Sequence, residues 1–164
     1  MRILLALTYY RPHISGLTIY VERLAKALAR RGHTVTVLTS QYERTLPRDE
    51  VREGVRVRRV AVAFRVSKGV VMPTLGFEAW REVLRHDALS LHLPQLDAAG
   101  IALRGRLLGK PTTLTYHCDL QLPGGWINPL ANWAVNRANH GAAKLAHAVV
   151  AYTEDYATHS PLLS

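Results

Sequence analysis

The sequence predicts an α/β fold, a mostly parallel sheet doubly wound with helices on both faces, and three observations carry that expectation. The first is the opening stretch, MRILLALTYYRPHISGLTIYVERLAKALARRGHTVTVLTS (Met1–Ser40), which reads strand, glycine-containing loop, amphipathic helix, strand. The second is that short apolar or β-branched runs keep alternating with helix-period patterns along the whole chain. The third is length: 164 residues fit one domain, or one domain of a larger protein, with a single core burying about 70% of the unfolded surface.

Arg2–Thr8 is a short apolar run around Ile3, Leu4 and Leu5, as expected of a strand covered on both faces. Pro12, Ser15 and Gly16 interrupt regular structure across Tyr9–Gly16. Leu17, Tyr20, Val21, Leu24 and Leu28 then recur at helical spacing, with Glu22, Arg23, Lys26 and Arg30 on the other side. Gly32 stands where a helix ends in a left-handed residue, and Thr34–Thr39 (TVTVLT) is the β-branched strand that follows. Gln41–Glu53, with Pro47 and the charge run Arg48-Asp49-Glu50, reads as a surface loop. Val55 and Val57 alternate with Arg56 and Arg58 in Gly54–Val62, a half-exposed strand suited to a sheet edge.

Phe64–Pro73 is irregular, and Thr74–His86 carries a helix pattern (Leu75, Ala79, Trp80, Val83, Leu84) with Thr74 as its N-cap. Ala88–Leu93 is a strand ended by Pro94, and Gln95–Leu108 a helix closed by Gly109 and Pro111. Thr112–His117 (TTLTYH) is β-rich, Cys118–Asn128 a loop with Pro123, Gly124 and Gly125, and Pro129–Leu145 a long helix. Ala148–Tyr152 makes a last short strand, and Thr153–Leu163 opens another helix with Thr153 as N-cap. Strands alternating with helices in this way imply right-handed crossovers and a Rossmann-like sheet. Laid out in the order 3-2-1-4-5-6, that sheet has its switch point between the first and fourth strands. The loops at Tyr9–Gly16, His92–Gln95 and His117–Gly125 then converge on one crevice.

Composition narrows the function. Lys+Arg 21 against Asp+Glu 12 gives a net charge of +9, which favours an anionic partner: a phosphorylated ligand, an anionic membrane surface or a nucleic acid. The alternative is that the charge only keeps the chain soluble. The basic residues form no recognisable nucleic-acid motif and do not interleave with aromatics, so no nucleic-acid partner is expected. Cys118, the single cysteine, excludes an internal disulfide framework and fits a reducing compartment. The apolar run after Arg2 breaks at Tyr9-Tyr10-Arg11-Pro12, too early for a signal peptide, and no stretch reaches the roughly 20 apolar residues of a membrane span. A cytoplasmic location is expected, with peripheral attachment to a membrane as an extension of it.

In the first loop, a helix N-terminus carries about +0.5 of an elementary charge and unpaired N–H groups, so it attracts phosphate or carboxylate. Gly16 permits close approach of a ligand, while on a purely structural reading Ser15 caps the helix and Gly16 turns the chain. The loop lacks G-x-G-x-x-G, the second strand ends Leu38-Thr39-Ser40 without an acid for a ribose hydroxyl, and no G-x-x-x-x-G-K-[ST] occurs. A dinucleotide cofactor and a P-loop are thereby disfavoured. His117 ends a strand in the predicted crevice, which favours a functional over a structural role; His92 has the same two readings. Cys118 and His117 are adjacent and on a strand point to opposite faces, so they make a poor nucleophile pair. His92, His117 and Asp119 lack tight metal-ligand spacing, and no metal is expected. Tyr10 and His13 touch a ligand or merely cover the first loop; His33, His140, His147 and His159 read as structural, and Trp80, Trp126 and Trp133 as core or cover.

Taken together, Tyr10-x-Pro12, Ser15-Gly16-Leu17, LAKALARRGHTVTVLT (Leu24–Thr39), LHLP (Leu91–Pro94), TYHCDL (Thr115–Leu120) and AHAVVAYTEDYATHSPLL (Ala146–Leu163) resemble one family. It is the amino-terminal, acceptor-side domain of family 4 retaining glycosyltransferases, one half of a GT-B enzyme. The resemblance spans nearly the whole chain, residues 1–164, and implies a sugar transferred from a nucleotide diphosphate sugar to a sugar, phosphorylated or lipid-linked acceptor, without an essential metal or other cofactor. It implies that Gly16, with Ser15, approaches the donor diphosphate and that His117, as the catalytic residue, contacts the donor sugar near the reacting centre. Tyr10, His92 and Asp119 are the corresponding acceptor-side candidates. Two positions depart from the pattern: Ser15 stands for the first of two glycines, and His147 for an aspartate. The donor-binding carboxy-terminal domain with its glutamates is absent from this chain, so the isolated domain is expected to be inactive. The rival readings are a non-catalytic Rossmann-like ligand-binding module and a basic nucleic-acid-binding domain, the latter demanding steeply salt-dependent binding.

Overall fold

In the computed structural model of the chain, which describes residues 1–66, 69–117 and 128–151, β1 (Arg2–Ala6) is the central strand of a seven-stranded sheet. It pairs in parallel with β2 (Thr34–Gln41) on one side and β7 (Ala88–Leu93) on the other. β4 (Val55–Ala61) extends the sheet beyond β2, and β8 (Thr112–Tyr116) and β9 (Ala148–Val150) extend it beyond β7, all parallel. In chain order these six strands lie 3-2-1-4-5-6, the order on which the expected switch point depends. The connections leaving β1 and β7 therefore diverge, and a crevice opens at their carboxyl ends.

Side-chain alternation divides the core in two. Leu4 and Ala6 of β1, Leu89, Leu91 and Leu93 of β7, and Leu114 and Tyr116 of β8 face one side. There they meet α2 (Leu75–Arg85), α3 (Ala98–Leu107) and α4 (Asn128–Leu145) through Ala79, Val83, Ile101 and Ala142. Leu5, Leu7, Val35, Val37, Val55 and Val57 face the other side and pack on Val21 and Ala25 of α1 (Gly16–Arg30). α3 lies so close to the sheet that a Cβ on Gly105 would come within 2.6 Å of Leu89 Cδ1 and Thr112 Oγ1, so packing demands the glycine.

Several expectations are corrected. Gln41–Glu53 is not all loop: β3 (Asp49–Arg52) pairs antiparallel with β4, so β3 forms the sheet edge and β4 lies inside it. The β3–β4 turn is Glu53-Gly54, both at positive φ (48° and 79°), the backbone that matches the twist of a two-residue hairpin. Phe64–Pro73 contains a small hairpin, β5 (Phe64–Val66) with β6 (Gly69–Val71). Thr74 precedes α2 but makes no capping side-chain bond, and α3 starts at Ala98 instead of Gln95. Trp80 and Trp133 are 42% and 61% exposed, so neither is a core residue. Gly32 and Gly109 do end α1 and α3 at positive φ. The expected loop at Cys118–Asn128 lies outside the described residues up to residue 127, and so do the expected Thr153–Leu163 helix and Trp126.

Candidate functional site

β1 delivers the chain to the crevice, and the loop after it is held from several sides. The Thr8 carbonyl accepts from Ser40 N at 3.1 Å, Ser40 Oγ at 2.5 Å and Thr39 Oγ1 at 3.1 Å, which ties the loop to the end of β2. Arg59, buried inside the sheet, donates to the carbonyls of Arg11 and Pro47 at 2.9 Å each and to Glu50 Oε1 at 2.6 Å. Ser15 then caps α1: its Oγ accepts from Thr18 N at 3.2 Å and lies 2.9 Å from Thr18 Oγ1. Gly16 is the first residue of the helix, and neither of the usual structural reasons for glycine applies to it. Its φ is not in the left-handed region, and an added Cβ would meet nothing within 4 Å.

One turn further along α1, Tyr20 reaches the other two loops. Its ring stands edge-on to His117 at 5.1 Å and to His92 at 5.9 Å. His92 is fully buried near the end of β7, where the register pairs it with Thr115 of β8. His117 follows β8 by one residue, and its backbone N–H donates to the Leu93 carbonyl at 3.3 Å. The two imidazoles meet directly, His92 Nδ1 to His117 Nε2 at 3.1 Å, and His92 Nε2 lies 3.3 Å from Ser90 Oγ. Burial pushes His92 down to about 3, with His117 adding to the effect, and burial lowers His117 to about 4. Both rings are therefore neutral at pH 7.

The start of α1, His92 and His117 thus share one edge of the sheet, as the topology predicts. Tyr10 does not join them. It is 4% exposed, packs with Leu5, Leu7 and Val21, and burial pushes its hydroxyl up to about 12. Asp119 lies outside the described residues. His13 belongs to an aromatic group instead, stacked on Tyr9 at 5.0 Å with Tyr42 edge-on to both. His33 N donates to Leu28 O in the turn after α1, and His147 exchanges hydrogen bonds with Thr112 through its backbone N–H and its Nδ1. Among the described residues no three His, Cys, Asp or Glu side chains gather as a metal site. Nor does any helix among them have the length and apolarity to cross a membrane.

Tyr20, Ser90 and Tyr9 are the residues that sequence reasoning missed. Tyr20 was legible only as an apolar helix position, and Ser90 only as a polar residue within a strand; contact with the histidines is a tertiary event. Some of the basic side chains are paired internally, which leaves the net charge of +9 as it is. Arg11 and Lys26 pair with Glu22, Arg56 and Arg58 with Asp49, Arg58 with Glu78, and Arg59 with Glu50.

A Rossmann-like sheet with its polar loops gathered at the switch point is the class of domain that this fold defines. Comparison with known proteins gives the family. The glycosyl transferase 4-like domain family matches residues 15–160, and the chain belongs to it. It is 30% identical over 153 residues to a GDP-mannose-dependent alpha-mannosyltransferase of Mycolicibacterium smegmatis, an alignment covering 87% of this chain and 40% of that protein. A solved structure of sucrose-phosphate synthase from Thermosynechococcus elongatus superposes with a TM-score of 0.63 at 17% identity, over 96% of this chain and 44% of that one. The chain therefore spans less than half the length of either protein.

Proposed function

We propose that this domain is the acceptor-side half of a retaining glycosyltransferase that moves a sugar from a nucleotide diphosphate sugar to an acceptor without an essential metal. The observation that carries the reading is the convergence of the start of α1 on His117, bridged by Tyr20 one turn from Gly16. The open space at Gly16 beside the α1 N–H groups suits a diphosphate, which supports the donor role of Ser15 and Gly16. His117, neutral at pH 7 and at the carboxyl edge of the sheet, suits a hydrogen bond to the donor sugar. His92 and Asp119 remain acceptor-side candidates; Tyr10 acts there only by supporting the loop, since its ring is buried.

A second domain supplies the rest of the donor site, so this chain alone turns over little or no substrate. The acceptor is a sugar, carried on a lipid or bearing phosphate, and the +9 charge favours work at the anionic inner face of a membrane from the cytoplasmic side. The test is a donor screen on the full reading frame that contains this domain, starting with GDP-mannose because of the mannosyltransferase relative. Sugar transfer that survives EDTA and falls about 100-fold or more in His117→Ala is the expected result. Transfer by the isolated chain, or none with any nucleotide sugar, overturns the reading. Co-sedimentation that does not distinguish anionic from neutral vesicles removes the membrane part.

A further inference from the structure

We propose that the outer face of α2 and α3 docks this protein on an anionic lipid bilayer. The inference deepens the membrane part of the proposed function, and it rests on the transferase reading only for what the docking serves. α2 sends Leu75, Ala79, Glu82 and Val83 inward, and at 3.6 residues per turn Phe77, Trp80 and Leu84 fall on the opposite side. α3 buries Ala98, Ile101, Ala102 and Gly105 and turns Leu103 and Leu107 outward, one turn apart. These five large apolar side chains are 42–69% exposed. The two helices lie side by side on one face of the sheet: a Cβ on Gly76 of α2 would stand 3.2 Å from Arg104 Nη2 of α3. Trp80 follows Gly76 by one turn, so the α2 stripe borders that seam and continues into Leu103 and Leu107. Single exposed apolar residues are ordinary on a protein surface, whereas a stripe across two neighbouring helices marks a surface made for contact.

The charge around the stripe selects the occupant. Half-buried Arg81 and exposed Arg85 run along the border of α2 away from the seam, and exposed Arg106 lies on the far border of α3. The carboxylates are withdrawn from this face. Glu78 pairs with Arg58 at 2.8 Å, Glu82 is fully buried, and α3 contains no acid. An apolar strip with an indole on it and guanidinium groups at both margins matches the interface of an anionic bilayer. The rings and leucines enter the acyl boundary, and the arginines meet lipid phosphates. The face also reaches the site: exposed Leu96 lies between the His92 end of β7 and the start of α3 at Ala98. An acceptor carried on a lipid in the same bilayer is thereby brought to the crevice edge.

The test is flotation of the full-length protein that contains this domain with phosphatidylcholine vesicles, with and without phosphatidylglycerol. Wild type is expected to float with the anionic vesicles. Phe77→Ser combined with Leu84→Ser should weaken that partition about 10-fold or more. Arg85→Gln combined with Arg106→Gln should weaken it about 30-fold, a factor of about 5 for each arginine near the anionic surface. Lipids brominated in the acyl chain should quench tryptophan fluorescence in wild type and markedly less in Trp80→Phe. Unchanged binding in either double variant, or equal quenching in wild type and Trp80→Phe, overturns the proposal. So does a wild type that binds no vesicle, including one that forms a dimer through this face instead. Should a double variant fail to fold, the conservative Trp80→Phe comparison still decides. Flotation and quenching require no turnover, so an inactive full-length protein would refute the transferase reading and leave the docking result standing. An active enzyme that ignores vesicles would refute the docking alone.

Discussion

Acidification should destabilise this domain well before its carboxylates titrate, because the fold holds the two site histidines neutral. The ordinary histidine value is 6.5, and the folded values are about 3 for His92 and about 4 for His117. The unfolded chain therefore binds more protons than the folded one throughout that interval. The stabilisation is fully present above 6.5 and drains away as pH falls towards the folded values. At about pH 5 each such histidine has lost ~2 kcal/mol relative to neutral pH, His117 somewhat less because it is partly exposed. Together that is about 4 kcal/mol against the 5–15 kcal/mol typical of a domain. His86, also lowered by burial, adds in the same direction and prevents a direct reading from wild type alone. The comparison that isolates the effect is urea unfolding of wild type and His92→Phe, each at about pH 7.5 and about pH 5. The phenyl ring does not titrate, so the pH-dependent loss should be smaller in the variant by ~2 kcal/mol. Equal losses in the two proteins would refute the reasoning, since the buried imidazole would then contribute nothing to the acid response.

Three further outcomes concern the loop that leads into α1. Ser15→Ala removes the acceptor for Thr18 N and should lower stability by about 1 kcal/mol in urea or thermal unfolding. Gly16→Ala should leave stability unchanged or raise it by about 0.5 kcal/mol, because its Cβ meets open space, while weakening nucleotide-sugar binding measured by calorimetry on the full-length protein. A stability loss there would show that the glycine is needed by the fold and not by a ligand. Arg59→Leu strips the Arg11 and Pro47 carbonyls and Glu50 of their buried donor, with an expected cost of about 3 kcal/mol. Amide exchange should quicken first at residues 9–16, since that is the segment that the guanidinium ties to the sheet edge.

Periodicity alone was enough for the alternation of strands and helices, whereas the strand order 3-2-1-4-5-6 entered as an arrangement common to that fold class and brought with it the edge on which the loops gather. The alternation was legible because it is local: Leu17, Val21, Leu24 and Leu28 mark one helix face wherever the helix sits, and the single hand of crossovers then makes the sheet parallel without fixing the order of its strands. The edge strand β3 was not legible, because Asp49–Arg52 (DEVR) is charged at all but Val51 and its pairing is set by a Glu53-Gly54 turn that carries no strong hairpin signature. The inward position of β4 followed from the same omission. At the site, His117 and His92 stood out by type and position, whereas their contact could not. Twenty-five residues separate them in sequence, and only the parallel register of β7 and β8 puts one ring against the other. Tyr10 looked as accessible as Tyr9 in the sequence; the packing of α1 on Leu5 and Leu7 buried it. Residue types and their spacing thus determined the architecture and the edge that carries the chemistry. Which nitrogen meets which, and which rings are dry enough to stay neutral, was decided by tertiary packing, because burial and angstrom-scale contact depend on what distant segments place alongside.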